Sequence, residues 1–234
     1  MPFSRRALLA VGGSVVVAGG ALGAWRMARA PEVMAVTPVA VPVAVAPAVP
    51  PPAGDPRFAE RSIGLATAPV TVTEWFSLTC SHCAAFHRDS MPRIKAELIE
   101  TGKMRMVFRD FPLDQVALTA AVVARSLPLA RYEPFVSALL ASQDRWAFNR
   151  QANPVEELAK MAALAGLGRD AFNAAIADTE LRTAILKGQE EADKVFKVDS
   201  TPSFIFNGPA VQNRRESGGR SPDDFVRLVA AAAG

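Results

Sequence analysis

The sequence predicts an α/β protein: a mixed sheet with helices packed on it and one all-helical insertion. Three observations carry this. A β-branched and aromatic segment at residues 69–76 runs into a helical segment, and a second apolar strand segment follows at residues 104–111. Residues 112–196 then keep helical patterning throughout. Strand character returns at residues 203–206, ahead of a closing alanine-rich helix. Half of the 234 residues are apolar and 21% are charged, the composition of a folded chain. That length allows one medium domain, or a smaller core carrying an insertion.

Taken in order, residues 1–30 read as an export signal or membrane anchor. Arg5 and Arg6 give a positive start, an apolar run covers residues 7–25, and Ala28 and Ala30 offer small side chains at the −3 and −1 positions of a cleavage site. Pro31 directly after that site disfavours cleavage, and the run is close to the about 20 residues that span a bilayer. Retention as a membrane tether is therefore the second reading, weakened by five glycines within the run. Ser4-Arg5-Arg6-Ala7-Leu8-Leu9 resembles a twin-arginine export signal. Residues 31–56 hold eight prolines among alanine and valine, which predicts an extended spacer of about 3.1 Å per residue.

The formal charge of +3 is set by that leader. Residues 1–30 contain four arginines and no acid, leaving 22 basic against 23 acidic residues, net −1, in the rest. No Lys/Arg run follows, which excludes the electrostatic footprint of a nucleic-acid binder. Two cysteines exclude a disulfide-dense scaffold and a four-cysteine zinc site.

The folded part is expected over residues 57–234. Residues 80–100 read as helix, with Phe86, Met91, Ile94 and Leu98 near helical spacing and a kink or restart at Pro92. Within the helical block, about 113–196, Pro128, Pro134 and Pro154 are expected to break the helices. Asn153-Pro154-Val155-Glu156 is a helix start, closed by Gly166 and Gly168, and Thr179 is expected to cap a helix over residues 180–196. Asn207-Gly208 predicts a hairpin turn after the strand at 203–206, with an indistinct partner strand. Ser221-Pro222-Asp223-Asp224 caps the last helix.

The chemistry concentrates at Cys80-Ser81-His82-Cys83. This spacing sets two sulfurs on one face of a first helical turn, close enough to form a disulfide. At the helix N-terminus, unpaired N–H groups and the helix dipole favour a Cys80 thiolate, and His82 can add charge or a hydrogen bond. A stabilised thiolate is a good leaving group, so the disulfide becomes oxidising, with Cys83 as the deeper, resolving thiol. Two other readings of these residues are a structural disulfide and a soft-metal site using Cys80, Cys83 and His87. His87 is otherwise expected to be an exposed helix residue.

Residues 68–83 resemble the DsbA-like thioredoxin-fold family of exported bacterial thiol–disulfide oxidoreductases. Phe108-Arg109-Asp110-Phe111-Pro112-Leu113 and Ser200-Thr201-Pro202-Ser203-Phe204-Ile205-Phe206-Asn207-Gly208 are similar to further segments of that family. The resemblance runs from about Phe58 to the C-terminus. It implies a thioredoxin-like sheet with the helical block in the place of the family's inserted domain. It further implies that Pro202 is a cis-proline facing the cysteines, with the Thr201 backbone offered to an extended client peptide. Glu74 matches a buried acid beneath the cysteine pair. The sequence departs from the family pattern in two places. Ser81 stands where the best-known members have proline. No lysine lies on the neighbouring strand near the acid, where Arg105 and Arg109 are the available cations.

The implied function is oxidation of cysteine pairs in exported clients by a periplasmic enzyme, soluble or tethered through residues 7–25. It would be reoxidised by a membrane partner, without metal or organic cofactor. The alternatives are a reductase or isomerase of the same fold, a metal chaperone using Cys80, Cys83 and His87, and a non-catalytic peptide holder.

Overall fold

A computed structural model describes residues 54–234. The export segment at residues 1–30, and the spacer as far as residue 53, lie outside the described residues. Five strands, β1 (Arg61–Ile63), β2 (Val70–Phe76), β3 (Met104–Asp110), β4 (Ser203–Asn207) and β5 (Arg214–Ser217), form a sheet in the order β1-β3-β2-β4-β5. β2 and β3 run parallel, and the other three pairings are antiparallel. This is the expected mixed sheet. β1 left no sequence signal, being three residues long with an arginine at its start.

A parallel pair needs a crossover. It is supplied by α1 (Ser81–Asp89), α2 (Met91–Ile94) and a π-helical turn (Lys95–Ile99). The expected restart falls at Ser90, because Pro92 occupies the first turn of α2, where its missing N–H is harmless.

Six helices separate β3 from β4: α3 (Gln115–Arg125), α4 (Leu129–Ala141), α5 (Gln143–Trp146), α6 (Pro154–Leu164), α7 (Arg169–Ile176) and α8 (Thr179–Phe196). α9 (Pro222–Ala233) closes the fold. Asn153 caps α6 as expected, accepting from the N–H groups of Val155 and Glu156, and Ser221 caps α9.

Three local expectations are corrected. Pro134 does not break a helix. It lies inside α4 on an exposed face, so only one main-chain bond is forfeited. The cap of α8 is Asp178, whose carboxylate accepts from Leu181 N–H, and Thr179 is already helical. Asn207-Gly208 is not a two-residue hairpin. Residues 208–213 connect β4 to β5, with Asn207 Oδ1 accepting from Asn213 N–H at 2.8 Å. Gly208 is needed for close approach instead, since a Cβ there would lie 2.4 Å from the Ala232 carbonyl oxygen of α9.

The period-2 alternation of β2 divides its side chains between the two faces of the sheet. Val70, Val72 and Phe76 join the main core with Phe86, Phe108, Phe204 and Phe225. Trp75 packs on the opposite face with Phe111, Ala192, Val198 and Ile205. Glu74 shares the row of Val72 and Phe76, so the strand's own geometry drives an acid into the core beneath α1.

Candidate active site

α1 starts at Cys80, whose backbone is extended (φ −81, ψ 118) and whose Sγ accepts from the Cys83 N–H at 3.4 Å. The sulfur thus performs the capping role usually taken by a Ser, Thr, Asp or Asn oxygen. An acceptor in that position is strengthened by negative charge. Both cysteines are free thiols; Cys80 retains 6% exposure and Cys83 none.

The Thr201–Pro202 peptide is cis, and the Cys80 thiol donates to the Thr201 carbonyl oxygen at 3.3 Å. The loop before β4 therefore lies across the N-terminus of α1. The structure brings Thr201 and Pro202 to the cysteine pair across 121 residues of chain.

The two thiols diverge in acidity. Cys80 is held down to about 5, chiefly because the Cys83 thiol hydrogen-bonds to its sulfur. Burial opposes this. Thr201 and the backbone N–H groups of Cys83 and His82 add to the lowering. Cys83 is pushed well above the ordinary thiol value, first by burial, then by its hydrogen bond to Cys80 and the nearby charge of Glu74.

Ser81 and His82 are exposed. The His82 imidazole makes no hydrogen bond among the described residues, and its backbone N–H contributes to the lowering at Cys80.

Glu74 is completely buried. Its partner is His87, whose Nε2 lies 3.0 and 3.1 Å from the two carboxylate oxygens. His87 is itself buried, which overturns its expected exposure. The reason is helical spacing: His87 follows Cys83 by four residues and so shares its inward face. Neither Arg105 nor Arg109 replaces the missing lysine. Glu74 registers against Phe108 on β3, and both arginines turn to Glu60 on the other side. The Nε2 of His87 is thus turned to Glu74. Among the described residues no three His, Cys, Asp or Glu side chains are placed to share an ion.

Two further residues support the site without a sequence signal. Gln143 of α5 is buried, and its Nε2 donates to the carbonyls of Leu78 at 2.8 Å and Cys80 at 3.0 Å. Asp114 caps α3 through Ala117 N–H and also accepts from Thr79 Oγ1 at 2.7 Å. The helical block thereby clamps the turn that presents Cys80.

Comparison with known proteins follows this geometry. A family model described as thioredoxin matches residues 58–228. A protein named as a protein-disulfide oxidoreductase in Rickettsia prowazekii (strain Madrid E) is 29% identical over 152 residues, 64% of this chain and 55% of the relative. One named as disulfide bond formation protein D in Bacillus anthracis is 25% identical over 167 residues, covering 66% of this chain and 74% of the relative. The chain spans about half the length (55%) of the first of these relatives. Among solved structures, alpha-DsbA1 of Wolbachia pipientis superposes with a TM-score of 0.69 at 30% identity, over 74% of this chain and 90% of that one. BdbD from Bacillus subtilis superposes with a TM-score of 0.62 at 16% identity, over 73% and 91%, a likeness of fold.

Proposed function

The chain belongs to the DsbA-like thioredoxin family, and on that premise we propose that it is a thiol–disulfide oxidoreductase that oxidises cysteine pairs of exported client proteins. The observation that carries this is the acidity split within one motif. A Cys80 thiol held near 5 makes the reduced form favourable, and a stabilised reduced form makes the disulfide an oxidant.

The reaction is a pair of exchanges. A client thiolate, having given its proton to solvent, attacks Cys80 Sγ in the disulfide form. The Cys80–Cys83 bond breaks, the client–Cys80 bond forms, and Cys83 departs with the electron pair and takes up a proton. The second client thiolate then attacks the client sulfur of the mixed disulfide, and Cys80 leaves as a thiolate. The client has lost two electrons and the Cys80–Cys83 pair has gained them. Glu74, whose charge acts on Cys83, takes part in the proton transfer to that sulfur. Ser81 and His82 shape the exposed rim of the pair. Thr201 and Pro202 offer the backbone edge along which an extended client lies.

The leader at residues 1–30, with Arg5 and Arg6, supports work in an oxidising exported compartment, the periplasm, by the twin-arginine route. Residues 7–25 would form any tether to the inner membrane. Among the described residues no helix is long and apolar enough to cross a membrane. A membrane-bound oxidant would restore the disulfide. The domain division at residues 30 and 56, with an inserted block over about 113–196, belongs to the same proposal.

Trapping tests it. Charged beforehand as the mixed disulfide with glutathione and then mixed with reduced, unfolded secretory proteins, Cys83→Ser should release glutathione and accumulate adducts that dithiothreitol resolves, and Cys80→Ser treated alike should accumulate none. Adducts equally abundant with Cys80→Ser would contradict the assignment of Cys80 as the attacked sulfur.

A further inference from the structure

Cys83 is the sulfur that must gain a proton in one half of the cycle and lose it in the other, and it has no exposed surface. Glu74, whose charge acts on Cys83, is also sealed from solvent. The Nε2 of His87 lies 3.0 Å from Glu74, while its other ring nitrogen, Nδ1, is buried without any hydrogen-bond partner. Buried polar atoms are normally paired, so an orphan of this kind calls for a reason. The ring also borders a cleft of about 340 Å³ between α1, α2 and α4, lined with Arg88, Met91, Pro92, Lys95 and Ser137. A neutral imidazole has one protonated and one bare nitrogen, and can pass a proton from one to the other side.

We propose that His87 is a proton-relay residue, acting through Glu74, that connects the Cys83 thiol to solvent in this cleft. The inference rests on the oxidoreductase reading above. As Cys83 leaves with its electron pair, the Nε2 proton of His87 passes to the Glu74 carboxylate and on to Cys83, and Nδ1 accepts one from solvent. Reoxidation of the pair runs the same path backwards, from Cys83 to Glu74 to Nε2, with the Nδ1 proton released. One proton enters and one leaves per cycle, so the tautomer is reset without a ring flip.

The neighbouring elements leave this route to His87. β3 sets Phe108 beside Glu74 and sends its arginines away. The charged and titratable groups around the relay are Cys83 and, at the rim, Arg88 on α1, and Lys95 of the π-helical turn, which is paired with Glu133 of α4 at 2.5 Å. Tyr132 of α4 feels the charge of Glu74, yet burial before all else pushes its phenol far above the ordinary range, so it cannot supply protons near neutrality.

The test is the rapid-mixing rate at which a reduced dithiol peptide reduces the Cys80–Cys83 disulfide of the full chain, between about pH 5 and 8, in wild type, His87→Gln and His87→Ala. Glutamine keeps an amide donor for Glu74 but cannot relay a proton. Reduction should slow about 100-fold in His87→Gln, the scale of a lost proton-transfer group. Alkylation of Cys80 should proceed as in wild type, and imidazole in the buffer should restore much of the rate to His87→Ala where sodium chloride of equal ionic strength does not. A His87→Gln rate within about twofold of wild type at every pH would overturn the relay. So would two slow variants with no recovery by imidazole, since that is the signature of packing alone. A wild-type chain that fails to exchange with the peptide would instead overturn the oxidoreductase reading beneath it.

Discussion

Cys80 and Cys83 differ in acidity because the Cys83 thiol hydrogen-bonds to the Cys80 sulfur, while burial holds the proton on Cys83. The rate of Cys80 alkylation should therefore follow a single titration with a midpoint near 5. Replacing Cys83 by alanine removes the strongest hydrogen bond to that sulfur and should raise the midpoint by on the order of one unit. A midpoint unchanged in Cys83→Ala would show that the helix terminus alone sets the acidity. Much of this was legible in the sequence. The motif and its place between strand and helix follow from residue type and spacing, and a buried acid at Glu74 is what the family resemblance implies. His87 was only half legible. Its four-residue offset from Cys83 is visible, but its burial depends on what β2 and α4 place opposite. Asp114 and Gln143 were not legible, because their partners Thr79 and Cys80 lie 35 and 63 residues away, a distance no local pattern spans.

At the scale of elements, the insertion holds the active-site turn as well as filling space. Gln143→Leu leaves the carbonyls of Leu78 and Cys80 without their donor. It should lower stability by about 1–3 kcal/mol, read as a lower denaturant midpoint with an unchanged slope. Pro134 makes the opposite prediction. It interrupts the main-chain ladder of α4 on an exposed face, so Pro134→Ala should stabilise by about 2 kcal/mol, after allowance for the freer unfolded chain. A loss of stability there would mean that the proline ring packs something its exposure does not reveal. Helix starts were readable wherever a cap and an N1 proline coincide, as at Asn153 and Ser221. They were misread by one residue at Asp178, where Asp and Thr are adjacent and both are good caps. The Asn207-Gly208 turn was misread because the glycine answers a tertiary demand, the approach of α9, and not a local one.

For the whole molecule, the acidity of Cys80 couples folding to redox state. Its value in the folded, reduced chain, about 5, lies below the ordinary thiol value of 9.0. The stabilisation is thus present in full above about 9, and is lost as pH falls through about 5. Cys83 adds no slope in this window, since it is protonated in both the folded and unfolded chain. The oxidised chain has no such thiol. The stability of the reduced form relative to the oxidised form should therefore grow as pH rises from about 5 to 8, measured as the gap between their denaturant midpoints. A constant gap would mean that folding does not favour the thiolate. The same preference for the reduced state supports the proposed direction of the chemistry, and the most direct test is the reduction potential of the Cys80–Cys83 couple, by equilibration of the full chain with glutathione. A potential near about −120 mV, that of a strong disulfide donor, is the expected result. A potential near about −270 mV would place the couple with reductases and contradict the proposed oxidation of clients.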